Sequence, residues 1–174
     1  MKKSFTLLEL LISITLFLII IVFLYKTLDQ TKYSNNLFVK KEETLKEINH
    51  LHNIFLEDVA EALSITISAD KEKNSIVKIV TYNTYHNPFF TNVTYLVGTS
   101  KKLLRIESLE VFNELEPFTV SFFDNSYIDV LVENIDYFEL KNSGINYNFL
   151  IKEKDKEREF FNTYKLGLKM KSSN

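Results

Sequence analysis

The sequence predicts an α+β protein: one long N-terminal helix, transmembrane and then amphipathic, packed on an antiparallel β-sheet domain. Three features of the chain lead there. Between Phe5 and Tyr25, 16 of 21 residues are Leu, Ile, Phe or Val, and Glu9 is the only charge. A proline- and glycine-free polar stretch follows and leads into an apolar stripe at helical spacing. Beyond Leu63, short segments rich in β-branched and aromatic residues alternate with turn residues.

The first element is a membrane span. As a helix, residues 5–25 extend about 31 Å, the thickness of a bilayer's hydrocarbon core. Its apolar residues favour insertion by roughly 5 to 10 kcal/mol, against about 3 for an acid at mid-membrane. Glu9 lies near the start of the segment, so its opposition is smaller still. Lys2 and Lys3 precede the span, and the positive-inside tendency keeps them cytoplasmic and sends the rest of the chain across. A cleaved signal peptide fits poorly, because the run Leu10–Leu24 is long and no small-x-small site follows it. A plain uncleaved anchor is the simplest alternative, and it gives Glu9 no purpose.

Residues 26–63 continue the helix outside the membrane, first as a polar stalk and then as a stripe of Leu45, Ile48, Leu51, Phe55, Val59 and Ala62/Leu63. Such a face has to be buried, and a sheet from the same chain is the expected cover. His50 and His52 flank the stripe and are expected to be packed or half-exposed, with no metal-ligating role. Residues 64–174 form the β-rich globular domain. Strands are expected near Ile76–Tyr82, Asn92–Val97, Leu103–Ser108, Phe118–Phe123, Ile128–Val132, Tyr137–Lys141, Tyr147–Lys152 and Tyr164–Lys169. Gly98-Thr99-Ser100 and Asn142-Ser143-Gly144 read as hairpin turns, His86-Asn87-Pro88 and Glu116-Pro117 as loops, and the charged stretch from Lys152 to Lys171 as a solvated turn.

Composition excludes several function classes. There is no cysteine, so no disulfide, thiolate nucleophile or zinc-thiolate site. Three glycines, Gly98, Gly144 and Gly167, cannot build a phosphate-binding loop. Net charge is −2, without the basic face that direct nucleic-acid binding needs. No catalytic residue, metal ligand or cofactor is indicated, and the chain reads as a non-enzyme.

The string Lys2-Lys3-Ser4-Phe5-Thr6-Leu7-Leu8-Glu9-Leu10-Leu11 closely resembles the prepilin signal of type IV pilins and type II secretion pseudopilins. The resemblance implies a leader of residues 1–4, cleavage by prepilin peptidase between Ser4 and Phe5, N-methylation of Phe5, and Glu9 as the fifth mature residue, acting in assembly. Ser4 stands where the family usually has glycine. Glu9 would pair with the free amine of Phe5, on a neighbouring subunit or its own, since a lone carboxylate in hydrocarbon marks a function. Phe55-x-x-Asp58-Val59, Tyr95 before a turn, Leu103-Leu104-Arg105, and Leu131-Val132-Glu133-Asn134-Ile135 are similar to the J-type minor pseudopilins and W-type minor pilins.

What the resemblance implies is a non-catalytic minor subunit in the inner membrane, with its C-terminal domain in the periplasm. It would pack with other pilins and help initiate or cap a type II secretion pseudopilus or type IV pilus. The alternative is a membrane-anchored extracytoplasmic binding or sensor domain that does not polymerise.

Overall fold

A computed structural model describes residues 6–114 and 119–166. It divides into two compact units, residues 1–48 and 49–174. In the first, α1 (Leu7–Ala60) runs unbroken from its start to Ile48, as expected of a segment without proline or glycine. Threonine and serine side chains along it return their hydroxyl protons to carbonyls one turn back: Ser13 to Glu9 at 2.8 Å, Thr27 to Phe23 at 2.9 Å, and Thr31 to Thr27 at 2.8 Å. Hydroxyls inside the apolar segment are thereby satisfied within the helix itself, which hydrocarbon requires.

The second unit holds the last turns of α1 and two antiparallel meanders. The larger has the order β1 (Ala62–Ala69), β2 (Ser75–Thr81), β3 (Asn92–Val97), β4 (Leu103–Ser108), β5 (Ser126–Val132). The smaller has the order β6 (Ile135–Ser143), β7 (Asn146–Glu153), β8 (Arg158–Tyr164). Between β4 and β5 lies a short helix, α2 (Val120–Asp124).

The α+β class and the helix packed on antiparallel sheet are as the sequence predicts. Leu51, Ile54, Phe55, Asp58 and Val59 form the buried face of α1, at steps of three and four residues. Phe55 is its centre. Its ring stacks on Phe149 at 4.1 Å and meets Tyr95 and Phe161 edge-on at 5.4 and 5.5 Å. One helical side chain thus touches β3, β7 and β8, and joins the two sheets in one core. Its truncation to alanine would cost about 3–5 kcal/mol.

Several boundaries differ from expectation. The helix ends at Ala60, and Ala62–Ala69 is a strand hydrogen-bonded to β2, with Ile65 opposite Ile79 and Ile67 opposite Val77. Ala62 and Leu63 fit the helical stripe, but the β-branched run Ile65-Thr66-Ile67 behind them alternates as a strand does.

The strand expected over Phe118–Phe123 is instead α2, with Phe118 outside the described residues. Thr119 caps α2 by accepting the Phe122 N–H at 3.2 Å, and Phe122 packs with Leu96, Ile106 and Phe112 on the larger sheet. The last strand lies earlier than expected, at Arg158–Tyr164, because the charged stretch turns only between Glu153 and Arg158. Phe161 and Thr163 then point inward while Phe160, Asn162 and Tyr164 are exposed. Residues 167–169 of the expected strand, and the Glu116-Pro117 loop, lie outside the described residues. Both expected hairpins are present, the second turning at Gly144-Ile145 with Asn142 and Ser143 still paired in β6. Gly144 takes a positive φ of 71°, which glycine adopts at no steric cost.

Candidate functional site

Two places in the chain carry unusual chemistry, and each is built locally. The first is the start of α1. Thr6 precedes the helix and Glu9 is its third residue, the spacing of a capping box. The Glu9 N–H donates to Thr6 Oγ1 at 3.3 Å, and the Thr6 N–H and hydroxyl donate to Glu9 Oε2 at 3.3 and 3.4 Å. Two backbone N–H groups that a helix start leaves unpaired are satisfied this way. A carboxylate here also complements the positive end of the helix dipole. The Thr-x-x-Glu spacing carries this capping role in the sequence, beside the pairing with a Phe5 amine, on a neighbouring subunit or its own, that the resemblance implies for Glu9. Ser4 and Phe5 lie outside the described residues.

The second place is a buried ion network in the globular unit. Asp58, Tyr95, Arg105 and Glu107 have essentially no solvent exposure. Asp58 is on the inner face of α1, one turn beyond Phe55 and Ile54, so the helix that buries its aromatic anchor must bury this acid as well. Arg105 and Glu107 alternate on one face of β4, and Tyr95 faces Arg105 across the β3–β4 pairing. The Arg105 guanidinium is shared. Its Nε and Nη2 donate to the two Asp58 oxygens at 2.8 and 2.9 Å, and Nη1 donates to Glu107 at 2.6 Å. Tyr95 donates its hydroxyl to Asp58 by a short bond.

The loop between β2 and β3 closes over this network. Glu107 accepts the backbone N–H of Tyr85 at 2.6 Å and of His86 at 3.0 Å. Tyr85 lays its ring on the guanidinium at 4.4 Å and donates its hydroxyl to Glu57 at 2.7 Å. The two ring nitrogens of His86 face Glu107 at 3.2 Å and Asp129 at 3.4 Å. Asn83 donates to Asp58 at 3.2 Å.

Burial pushes the Asp58 carboxyl above its usual range, and the Arg105 and Tyr95 hydrogen bonds hold it back only in part. For Arg105, burial opposes the charge, but the bonds to Asp58 and its negative charge outweigh burial and keep the guanidinium protonated. Burial also acts against the Glu107 charge. The Tyr85 N–H, Arg105 and the His86 N–H more than offset it, and hold this carboxyl below its usual range. Burial raises the Tyr95 phenol well above its ordinary value, and Asp58 adds to the rise.

The network therefore fixes one register of α1 on the larger sheet, by directional bonds that a purely apolar contact lacks. Phe55, Asp58, Tyr95 and Arg105, singled out in the sequence by resemblance, converge here. Glu107, Tyr85, His86 and Asp129 were missed. Glu107 had one sequence signal, an acid two residues after an arginine on a strand and so on the same face. Leu131 to Ile135 lies at the β5–β6 turn and does not join the network. His52 is packed as expected, its ring 6.0 Å from Phe161 and Nε2 3.1 Å from the Asn162 carbonyl. Among the described residues, no group of three or more His, Cys, Asp or Glu could hold a metal ion.

Residues 1–25 match the family described as "Prokaryotic N-terminal methylation motif". The chain carries a prepilin-type signal, of the kind borne by type IV pilins and pseudopilins. The matched residues open a helix long and apolar enough to cross a membrane, which suggests anchoring there. Comparison of the chain with curated proteins and with solved structures gives no match.

Proposed function

We propose that this chain is a minor pilin or minor pseudopilin, a non-catalytic subunit that helps initiate or cap a type II secretion pseudopilus or a type IV pilus. The observation that carries this reading is the N-terminal methylation motif over residues 1–25, at the head of an apolar helix. In this reading residues 1–4 are a leader, prepilin peptidase cuts between Ser4 and Phe5, and the new Phe5 amine is methylated. Residues 5–25 hold the subunit in the inner membrane, with the N-terminus cytoplasmic and the β-rich domain periplasmic, until helix packing with other pilins carries it into the filament tip. The convergence of Asp58, Tyr95 and Arg105 favours the J-type or W-type branch, since these residues carry that resemblance.

Glu9 then has two tasks. It caps its own helix through Thr6, and a carboxylate has lone pairs left to meet the Phe5 amine of a neighbouring subunit. An amine without that partner inside hydrocarbon costs several kcal/mol. The test is recovery of other pilin subunits with the full-length protein from native membranes, at matched membrane levels. Glu9→Leu is expected to insert normally and lose its partners, and Glu9→Gln to be intermediate. Undiminished partner recovery with Glu9→Leu would favour an anchored domain that does not polymerise.

A further inference from the structure

Among the described residues the globular unit has four sheet edges, and they are not finished alike. The β6 edge is capped by side chains of the β1–β2 hairpin: Asn74 accepts the Phe138 N–H and Ser75 accepts the Leu140 N–H, both at 3.0 Å. The β8 edge lies along α1, with the Asn162 carbonyl bonded to His52 and the Leu166 N–H to the Ala60 carbonyl. The Lys165 ammonium covers the start of β1 at the Leu63 carbonyl, and Glu114 covers its far end at Ser68.

The β5 edge has no strand beside it among the described residues. Over Ser126–Val130 it has no lysine and no proline, and Asp129 is its one charge. Tyr127, Ile128 and Val130 are 46%, 38% and 50% exposed. A bulge at Leu131 ends the regular stretch, leaving about five residues, one ordinary strand's length.

A cleft of about 510 Å³ opens beside this edge, walled by β5, the β2–β3 loop and the α1 face bearing Asn53 and Glu57. Its titratable lining is Glu57, Asp129, Arg105, His50 and His86. Arg105 is already shared between Asp58 and Glu107, and its 3.8 Å approach to Asp129 is long. Glu57 and Asp129 are therefore left as the cleft's accessible carboxylates, with lone pairs beyond those used by Tyr85 and His86.

We propose that β5 and this cleft form one docking site for an extended segment of another pilin-type subunit, added as a strand along β5 with a lysine or arginine seated between Glu57 and Asp129. The backbone of β5 supplies the hydrogen bonds and the two acids supply the selectivity. A second copy of this chain is disfavoured as the occupant, because pairing β5 with itself brings two acidic clefts together. The site rests on the pilin-type reading only for the identity of the partner.

The full-length protein in detergent micelles tests this against a short peptide of alternating valine and threonine with one central lysine. The same peptide with glutamate in place of lysine is the control. The lysine peptide is expected to bind at least about tenfold more tightly than the glutamate peptide, the discrimination that charge complementarity gives. Val130→Lys and Ile128→Lys leave the β5 backbone intact and should abolish binding with an unchanged circular dichroism spectrum. Glu57→Gln with Asp129→Asn should erase the preference for lysine while weak binding persists. Equal affinity for both peptides, or binding that survives Val130→Lys, overturns the proposal. So does a concentration-dependent dimer of the protein alone that Val130→Lys dissolves, which would assign the edge to a second copy. Failure here, with cleavage at Ser4 intact, would remove the docking site and leave the pilin reading standing.

Discussion

Replacing Arg105 with methionine is the most informative perturbation of the globular unit. Arg105 makes two bonds to Asp58 and one to Glu107, at 2.6–2.9 Å, and all three residues are fully buried. Methionine fills most of the volume but leaves two carboxylates in the interior without their cation. Removing one partner of a buried ion pair typically costs about 3–5 kcal/mol, and here two acids share the loss. For a domain of this size that is a fall of roughly 10–20 °C in Tm.

Arg105→Lys keeps the charge but cannot span both Asp58 oxygens and Glu107, so it should lose about 1–3 kcal/mol. Asp58→Asn with Arg105→Gln closes a double-mutant cycle, and the double variant should be less damaged than the sum of the singles. The measurement is thermal and urea unfolding followed by near-ultraviolet circular dichroism, to which seven of the nine tyrosines contribute from the globular unit. A loss under about 1 kcal/mol for Arg105→Met, a cost usual for surface sites, would refute the claim that this network fixes α1 on the sheet.

Three further outcomes follow from the same geometry. Glu107 has a lowered folded-state pKa, so its contribution is complete above the unfolded carboxylate range and is lost as pH falls through the lower folded value; Glu107→Gln should destabilise the protein at pH 7 and flatten the acid limb of its stability curve, which urea midpoints across pH 3–7 would reveal. Thr6→Val removes the side-chain half of the capping box and should cost the helix start about 0.5–2 kcal/mol, seen as faster amide exchange over the first turn in micelles, while Thr6→Ser should not. A soluble fragment beginning near Asp29 should fold as a monomer with mixed helix and strand, because Phe55 and Val59 find their cover within residues 49–174; a fragment that stays unfolded until a partner subunit is added would refute this.

What the sequence made legible follows the range of the forces involved. The apolar run, the stripe through Phe55 and Val59, and the two glycine turns are local patterns, and each produced its element. The ends of elements depended on competition. Ala62 and Leu63 satisfied a helical period and a strand period together, and pairing with β2 decided for the strand. The aromatic residues near Phe122 favour a strand intrinsically, yet burial of Phe122 against Ile106 and the Thr119 cap made a helix there. The network around Arg105 was half visible. Asp58, Tyr95 and Arg105 stood out by resemblance, whereas His86 and Asp129 enter only because a loop and an edge strand far apart in the chain meet over the guanidinium. The split into two meanders was illegible, because no local signal tells β6 to leave the larger sheet.

The mass of the mature N-terminus, taken from the protein in its native membrane, tests the central claim most directly. A chain beginning at N-methylated Phe5, with Ser4→Gly processed at least as well and a bulky residue at position 4 blocking the cut, is the predicted result. A chain that keeps Met1 in cells with an active prepilin peptidase would contradict it.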